Sequence, residues 1–223
     1  MIPPVHTKDR QADFPPLPPL PAVPRRADAT RERLLQATHE LLHERQGSHV
    51  SVSDICERAA TNVAMVRYCF GSKDGLMLAL MTRITDSFRV DFQSLAGTPL
   101  PWREKLADHL REVVRNYMRF PYITRLLSDQ LRNADAKSTR ALSESIVVPM
   151  AAFHQQLLAE GVRAGEVREV DPVFFFFSTI GMCEFLFAAR PWLTHGFGES
   201  LDDDLVERYA KHVVQMVLSG VSL

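Results

Sequence analysis

Residues 51–74 run SVSDICERAATNVAMVRYCFGSKD, and their spacing decides the fold. Ser51-x-x-Asp54 is an N-terminal capping pair, and it opens a short helix with Val52, Ile55, Cys56 and Ala59 on one apolar face. Ala60-Thr61-Asn62 leaves room for a tight turn, with Asn62 placed to cap a second helix over Val63–Phe70. Gly71-Ser72-Lys73-Asp74 then breaks and restarts the chain. Two short helices so spaced make a helix-turn-helix, whose second helix enters a DNA groove. Such a helix must show small or polar groups near its N-terminal end, so that its backbone can approach base edges. Val63, Ala64, Arg67 and Tyr68 meet that need, while Val66 and Phe70 supply the buried side. Ser51 joins the expected DNA-contacting set with Asn62, and Lys73, at a helix start, is expected to reach a phosphate.

Working outward, Leu34, Leu35, Thr38, Leu41 and Leu42 form one stripe along Thr30–Gln46, stopped by Gly47. Downstream, helical period continues through Lys73–Ser94, Pro101–Arg119, Tyr122–Asn133, Lys137–Ala164, Asp171–Ala189 and Asp202–Ser219. No segment alternates like a strand. The expected fold is all-α, with about nine helices and no internal repeat. Residues 26–76 are expected to form a three-helix DNA-binding domain, and residues 77–223 a larger helical domain. Eight of the 14 prolines fall within the first 24 residues, so residues 1–25 are expected to be a Pro-rich disordered arm.

The segment RERLLQATHELLHERQG, followed by SVSDICERAATNVAMVRYCFGSKDGLMLAL, resembles the DNA-binding domain of the TetR family of bacterial transcriptional regulators. The likeness covers roughly residues 27–80, with Ile55-Cys56, Ala59-Ala60, Thr61-Asn62, Phe70-Gly71-Ser72-Lys73-Asp74 and Leu76 in register. Three positions depart from the family pattern. Arg67 stands where a phosphate-contacting Tyr is usual, with Tyr68 beside it. Cys69 replaces a His or Tyr, and Ala60 replaces a turn Gly, which weakens the turn. The resemblance implies a homodimeric repressor that binds double-stranded operator DNA at an inverted repeat and is released by a small molecule.

Composition narrows the field further. The 223 residues carry 26 Lys+Arg against 27 Asp+Glu, a net charge of -1, which excludes a globally basic nucleic-acid coat. Residues 25–80 hold 8 Lys/Arg and 7 Asp/Glu, a local net of +1, so DNA contact must depend on where charges sit. Three scattered cysteines, with no C-x-x-C pair, argue against a disulfide scaffold or zinc ribbon. No apolar run approaches the roughly 20 residues of a membrane span, and the N-terminus has no signal-peptide core. A soluble cytoplasmic protein with no membrane partner is expected.

His39-Glu40-Leu41-Leu42-His43 matches the H-E-x-x-H helix of zinc proteases. Its place on the first helix of a DNA-binding unit is wrong for a catalytic zinc site. With Leu41 and Leu42 inward, both His are expected on a solvated face. The chain is therefore expected to be neither an enzyme nor bound to a cofactor or metal. A zinc hydrolase and an all-α carrier that no longer binds DNA are the rival readings.

Asp171–Ala189 (DPVFFFFSTIGMCEFLFAA) is apolar all round and needs cover on two sides, first from its own domain and then from a second copy. Phe174, Phe177 and Phe185, with Leu205, Tyr209, Val213 and Met216 of the last helix, are the expected dimer face. It resembles the two-helix face of TetR-like proteins, which pair as a four-helix bundle. Glu184 within this helix is expected to be either a buried ion-pair member or a polar group facing a ligand. Phe88, Phe92, Trp102, Tyr117, Phe120, Tyr122, Phe153 and His154 are candidates to line a pocket for a small apolar or aromatic effector, which enlarging Ala152 is expected to narrow.

Overall fold

The computed structural model describes residues 15–18, 26–45, 49–133 and 136–223. Among them the chain is all-α. The helices are α1 (Arg26–Glu44), α2 (Val52–Arg58), α3 (Val63–Phe70), α4 (Lys73–Ala96), α5 (Trp102–Arg119), α6 (Ile123–Asn133), α7 (Ala136–Leu142), α8 (Val148–Arg163), α9 (Pro172–Ala188), α10 (Arg190–Phe197) and α11 (Asp203–Val221). Ser143–Val147 is one π-helical turn that joins α7 to α8, so the expected helix over Lys137–Ala164 is a single rod with a shifted register. The one helix not anticipated is α10, where Pro191 at its start and Gly198 in the left-handed region beyond its end supply the boundaries.

Local signals set most of the other boundaries. Ser51 Oγ accepts from Asp54 N while Asp54 accepts from Ser51 N, a complete capping box on α2. Asn62, Ser72, Asp171 and Asp202 cap α3, α4, α9 and α11 in the same sense.

α1, α2 and α3 pack on one another and on the first turns of α4, around Leu34, Leu35, Ile55, Val66, Leu76 and Leu80. Further along, α4 lies against α5, α6, α8 and the π turn. In the larger unit α5 is central, packed along α11 and against α8 and α9. One continuous apolar cluster runs from Leu34 to Val221 through Leu80, Leu110 and Leu157. α4 is thus a shared element, rooted beside α3 at one end and in the larger unit at the other.

Of the proline-rich arm, only residues 15–18 lie among those described, and they are packed. Leu17 is buried, and the Pro18 carbonyl accepts from Arg83 Nε of α4 at 2.5 Å. Arg83 also pairs with Glu32 of α1 at 2.6 Å, so this strap binds both helices. The expectation of a disordered arm over the rest of residues 1–25 falls outside the described residues.

Candidate nucleic-acid interface and effector domain

The outer face of α3 is built by its neighbours. Thr61 N donates to Cys56 O and Ala60 N to Glu57 O, a Schellman closure of α2 that places Ala60 at φ 48°. The next residue but one, Asn62, then accepts from Met65 N at 3.3 Å and starts α3. Val66 faces the core, while Val63, Ala64, Arg67 and Tyr68 are exposed, Tyr68 by 74%. At the other end, Arg31 of α1 donates to the Cys69 carbonyl and its guanidinium lies 4.4 Å above the Phe70 ring. α4 begins two residues after α3 because Gly75 has no side chain: a Cβ there would sit 2.0 Å from the Phe70 carbonyl oxygen.

Cations of this domain divide into two sets. Arg58 grips Glu44 through two bonds of 2.8 and 2.9 Å and also reaches Glu40. Arg45 binds Asp54 at 2.7 Å, and the Ser51 backbone N–H together with Arg45 holds the Asp54 carboxyl at about 2. Arg67 and Lys73 form no ion pair among the described residues. These uncommitted cations sit on or beside α3, where a phosphate or base edge would meet them. Ser51 is committed to its capping box, which leaves it a structural cap in this state.

His39 corrects the expectation of a solvated face. Its ring is fully buried, covered by the strap and by the corner between α5 and α6. Nε2 lies 2.9 Å from the Pro15 carbonyl and Nδ1 2.5 Å from the Tyr122 hydroxyl. A carbonyl only accepts, so Nε2 carries the hydrogen and Nδ1 of the neutral ring accepts from Tyr122. Burial lowers the His39 pKa, which favours that neutral form. Both ring nitrogens are thereby occupied, and among the described residues no three His, Cys, Asp or Glu side chains could hold a metal ion.

The eight effector candidates do not form one pocket. Phe88, Phe120 and Tyr122 cluster with His39 at the junction of the two units, with centroid spacings of 5.8–6.4 Å. Trp102 lies apart, at the start of α5, and donates from Nε1 to Glu166 at 2.8 Å. Tyr117 stacks on Phe187 at 5.6 Å. Phe92, Phe153 and His154 do meet, in the middle of the larger unit, around a residue that the sequence reading passed over, His109. The signal for it was available: His109 falls on the buried stripe of α5 with Leu106, Leu110 and Val114, a polar residue at an apolar position. Ala152 is exposed, on the other side of α8 from Phe153, so enlarging it would not narrow this cluster.

The expected dimer residues also divide. Phe174, Phe177 and Phe185 of α9 and Met216 of α11 are 52–71% exposed, although their chemistry is that of a core. Trp192 and Phe197 of α10 extend the apolar surface. Val213 is the exception, buried in the protomer because the stripe it belongs to faces inward, where α11 lies along α5. Tyr209 is half-buried and donates its hydroxyl to the Met182 carbonyl, and Leu205 is partly buried. Glu184 is half-buried without an ion pair among the described residues, and burial raises its carboxyl. Among the described residues no single helix is long and apolar enough to cross a membrane.

A capped helix-turn-helix that exposes its second helix, joined by a shared rod to a larger helical unit, defines a DNA-binding regulator with a separate sensing domain. Residues 34–80 match the family described as bacterial regulatory proteins, tetR family, and residues 100–223 match the tetracyclin repressor-like C-terminal domain. The chain belongs to the TetR family of bacterial transcriptional regulators, which are DNA-binding proteins rather than enzymes. Solved structures share the fold. A TetR/AcrR-family regulator from Thermobifida fusca is 22% identical, with TM-score 0.67 over 85% of this chain and 97% of that one. FadR from Bacillus subtilis, solved with stearoyl-CoA, is 18% identical, with TM-score 0.67 over 85% and 98%. RolR, solved with resorcinol, is 17% identical, with TM-score 0.55 over 86% and 88%. Comparison with curated proteins gives no match.

Proposed function

We propose that the chain is a cytoplasmic homodimeric repressor, which binds an inverted-repeat operator and leaves it when a small apolar or aromatic molecule enters the larger domain. The observation that carries the reading is the exposure of Val63, Ala64, Arg67 and Tyr68 together on α3, with Arg67 and Lys73 free of ion pairs among the described residues. Residues 26–76 serve as the DNA-binding domain and residues 77–223 as the effector and dimerisation domain. The uncovered apolar face of Phe174, Phe177, Phe185 and Met216 supports a second copy as its cover. Proteins of this fold solved with stearoyl-CoA, which carries a long acyl chain, and with resorcinol, an aromatic ring, support an apolar or aromatic effector.

Dimerisation sets the distance between two α3 helices, which must be about 34–36 Å to meet successive major grooves. α4 touches α3 at one end and α5 and α8 at the other, so a ligand that displaces α4 changes that distance. Such a ligand binds the DNA-incompetent dimer more tightly, and DNA weakens it by the same factor.

Fluorescence anisotropy with labelled DNA from the region upstream of the gene tests the reading. Arg67→Ala and Tyr68→Ala are expected to weaken binding with helicity intact, by about 1–3 kcal/mol for an Arg–base contact. Lys73→Ala is expected to weaken all sequences alike and to shallow the salt slope by about one. Unchanged affinity in both α3 variants sinks the assignment.

A further inference from the structure

Two imidazoles lie side by side in the middle of the larger domain, and three of their four ring nitrogens have no partner among the described residues. His109 comes from α5 and His154 from α8, both buried, with centroids 5.0 Å apart and planes at 76°. Nε2 of His109 and both nitrogens of His154 are buried without a hydrogen-bond partner among the described residues. Aromatic rings enclose them. Phe92 and Phe153 stand 5.9 and 5.2 Å from His109, and Phe175 and Phe176 of α9 stand 5.5 and 5.7 Å from His154. A residue needed only to fill this space would be apolar, because dry polar atoms weaken a core.

The surroundings fix what these nitrogens can recognise. Burial lowers both imidazole pKa values, so each ring is neutral near pH 7; His154 offers one N–H donor and one bare acceptor, and Nε2 of His109 adds one more unpaired nitrogen. The complement of that pair is a group that both donates and accepts, which an uncharged hydroxyl does. A carboxylate is poorly matched. The buried cation one turn earlier on α5, Lys105, is already held by Glu160 at 3.6 Å and by the Ala96 carbonyl. Space adjoins the pair as well. An open surface groove between α9 and α11 is lined by Phe175 and Thr179 and also by Phe174 and Met216 of the proposed dimer face, and the Phe175 ring that lines it lies 5.5 Å from His154.

We propose that His109 and His154 form the recognition point for the hydroxyl of an uncharged phenol-type molecule, whose ring lies among Phe92, Phe153, Phe175 and Phe176. Phe175 is the partition that moves to admit it. This rests on the ligand-responsive reading above and adds the chemistry of its ligand.

The test titrates the full-length protein, without DNA, with phenol, 4-methylphenol and 2-naphthol, each against benzene, toluene or naphthalene as its deoxy match. Calorimetry gives affinities, and nitrogen-15 NMR of the imidazoles reports where the hydroxyl sits. At least one hydroxylated probe is expected to bind tenfold or more tightly than its match and to shift the His109 and His154 ring nitrogens. His109→Phe and His154→Phe are each expected to erase that preference and keep the affinity for the deoxy probe. Equal affinities within every pair, no binding by any hydroxylated probe, unmoved ring nitrogens, or a preference that survives both substitutions overturns the proposal. Tighter binding of benzoate or 2-naphthoate than of the phenols overturns the uncharged class. Where a Phe variant misfolds, the NMR shifts of the wild-type protein decide alone. A hydroxyl preference carried by the imidazoles, in a protein whose DNA complex ignores every probe, sinks the regulator reading and leaves the site. DNA release by a probe that ignores the imidazoles does the reverse.

Discussion

Ala60 occupies the left-handed region at φ 48° because the closure of α2 demands that conformation, and its Cβ makes the position unfavourable. Ala60→Gly is expected to stabilise the fold by about 1 kcal/mol, seen as a higher urea midpoint with an unchanged slope. A lower midpoint would show that the turn is not strained. The same turn shows how far the sequence could be read at this scale. Ser51, Asp54 and Asn62 act on backbone groups three residues away, so their roles follow from spacing alone. His39 does not yield to such reading. Its position on α1 looks solvent-facing from helical period, yet its cover comes from Tyr122, 83 residues later, and from Pro15 in a stretch without periodic signal.

Among the elements, the joint between α3 and α4 is the most constrained. Gly75→Ala would place a methyl group 2.0 Å from the Phe70 carbonyl oxygen, and neither backbone can yield without opening the joint. A stability loss of about 1–3 kcal/mol is expected, with a fall in DNA affinity of tenfold or more, because α3 is displaced. Chemical denaturation and anisotropy on the same sample check both, and wild-type values in the two would show that the approach is looser than described. Except for α10, the helices were legible because their caps and breaks are local. Which way a helix faces was legible where one stripe is apolar, and illegible on α11. There Val213 and Met216 belong to two apolar sides, and packing on α5 chooses Val213 for the interior. The π turn before α8 adds a register shift that carries no sequence mark, and it stands between the start of this rod and Phe153 and His154.

For the molecule as a whole, two properties follow from what it buries and what it leaves bare. Met216 is half-exposed in the protomer, so Met216→Asp is expected to leave the fold intact while placing an unpaired charge on each side of the proposed two-fold axis. Sedimentation at micromolar concentration should show wild-type dimers and variant monomers. A variant that remains dimeric moves the interface elsewhere. Acid sensitivity is the second property. Burial depresses the His39, His109 and His154 pKa values, His154 to about 4 from an ordinary value of 6.5. Below pH 6.5 the unfolded chain takes up protons that the fold refuses, so stability is full above that pH and falls as pH drops toward 4. For His154 alone the drop from 6.5 to about 4 corresponds to about 3 kcal/mol. Urea midpoints from pH 7.5 to 4.5 should decline, and less steeply in His154→Phe; a flat profile would show these rings accessible to protons.

The bond between His39 and Tyr122 also sets a clock. Synthesis adds about 5–20 residues per second, so the 83 residues between these partners take about 4–17 s to follow. Until Tyr122 is added, the junction stays open and His39 lacks its partner there. The domain proposed to touch DNA is therefore made before the larger one that fixes its posture, and each newborn chain passes through a stage in which the proposed effector would have no hold on α3.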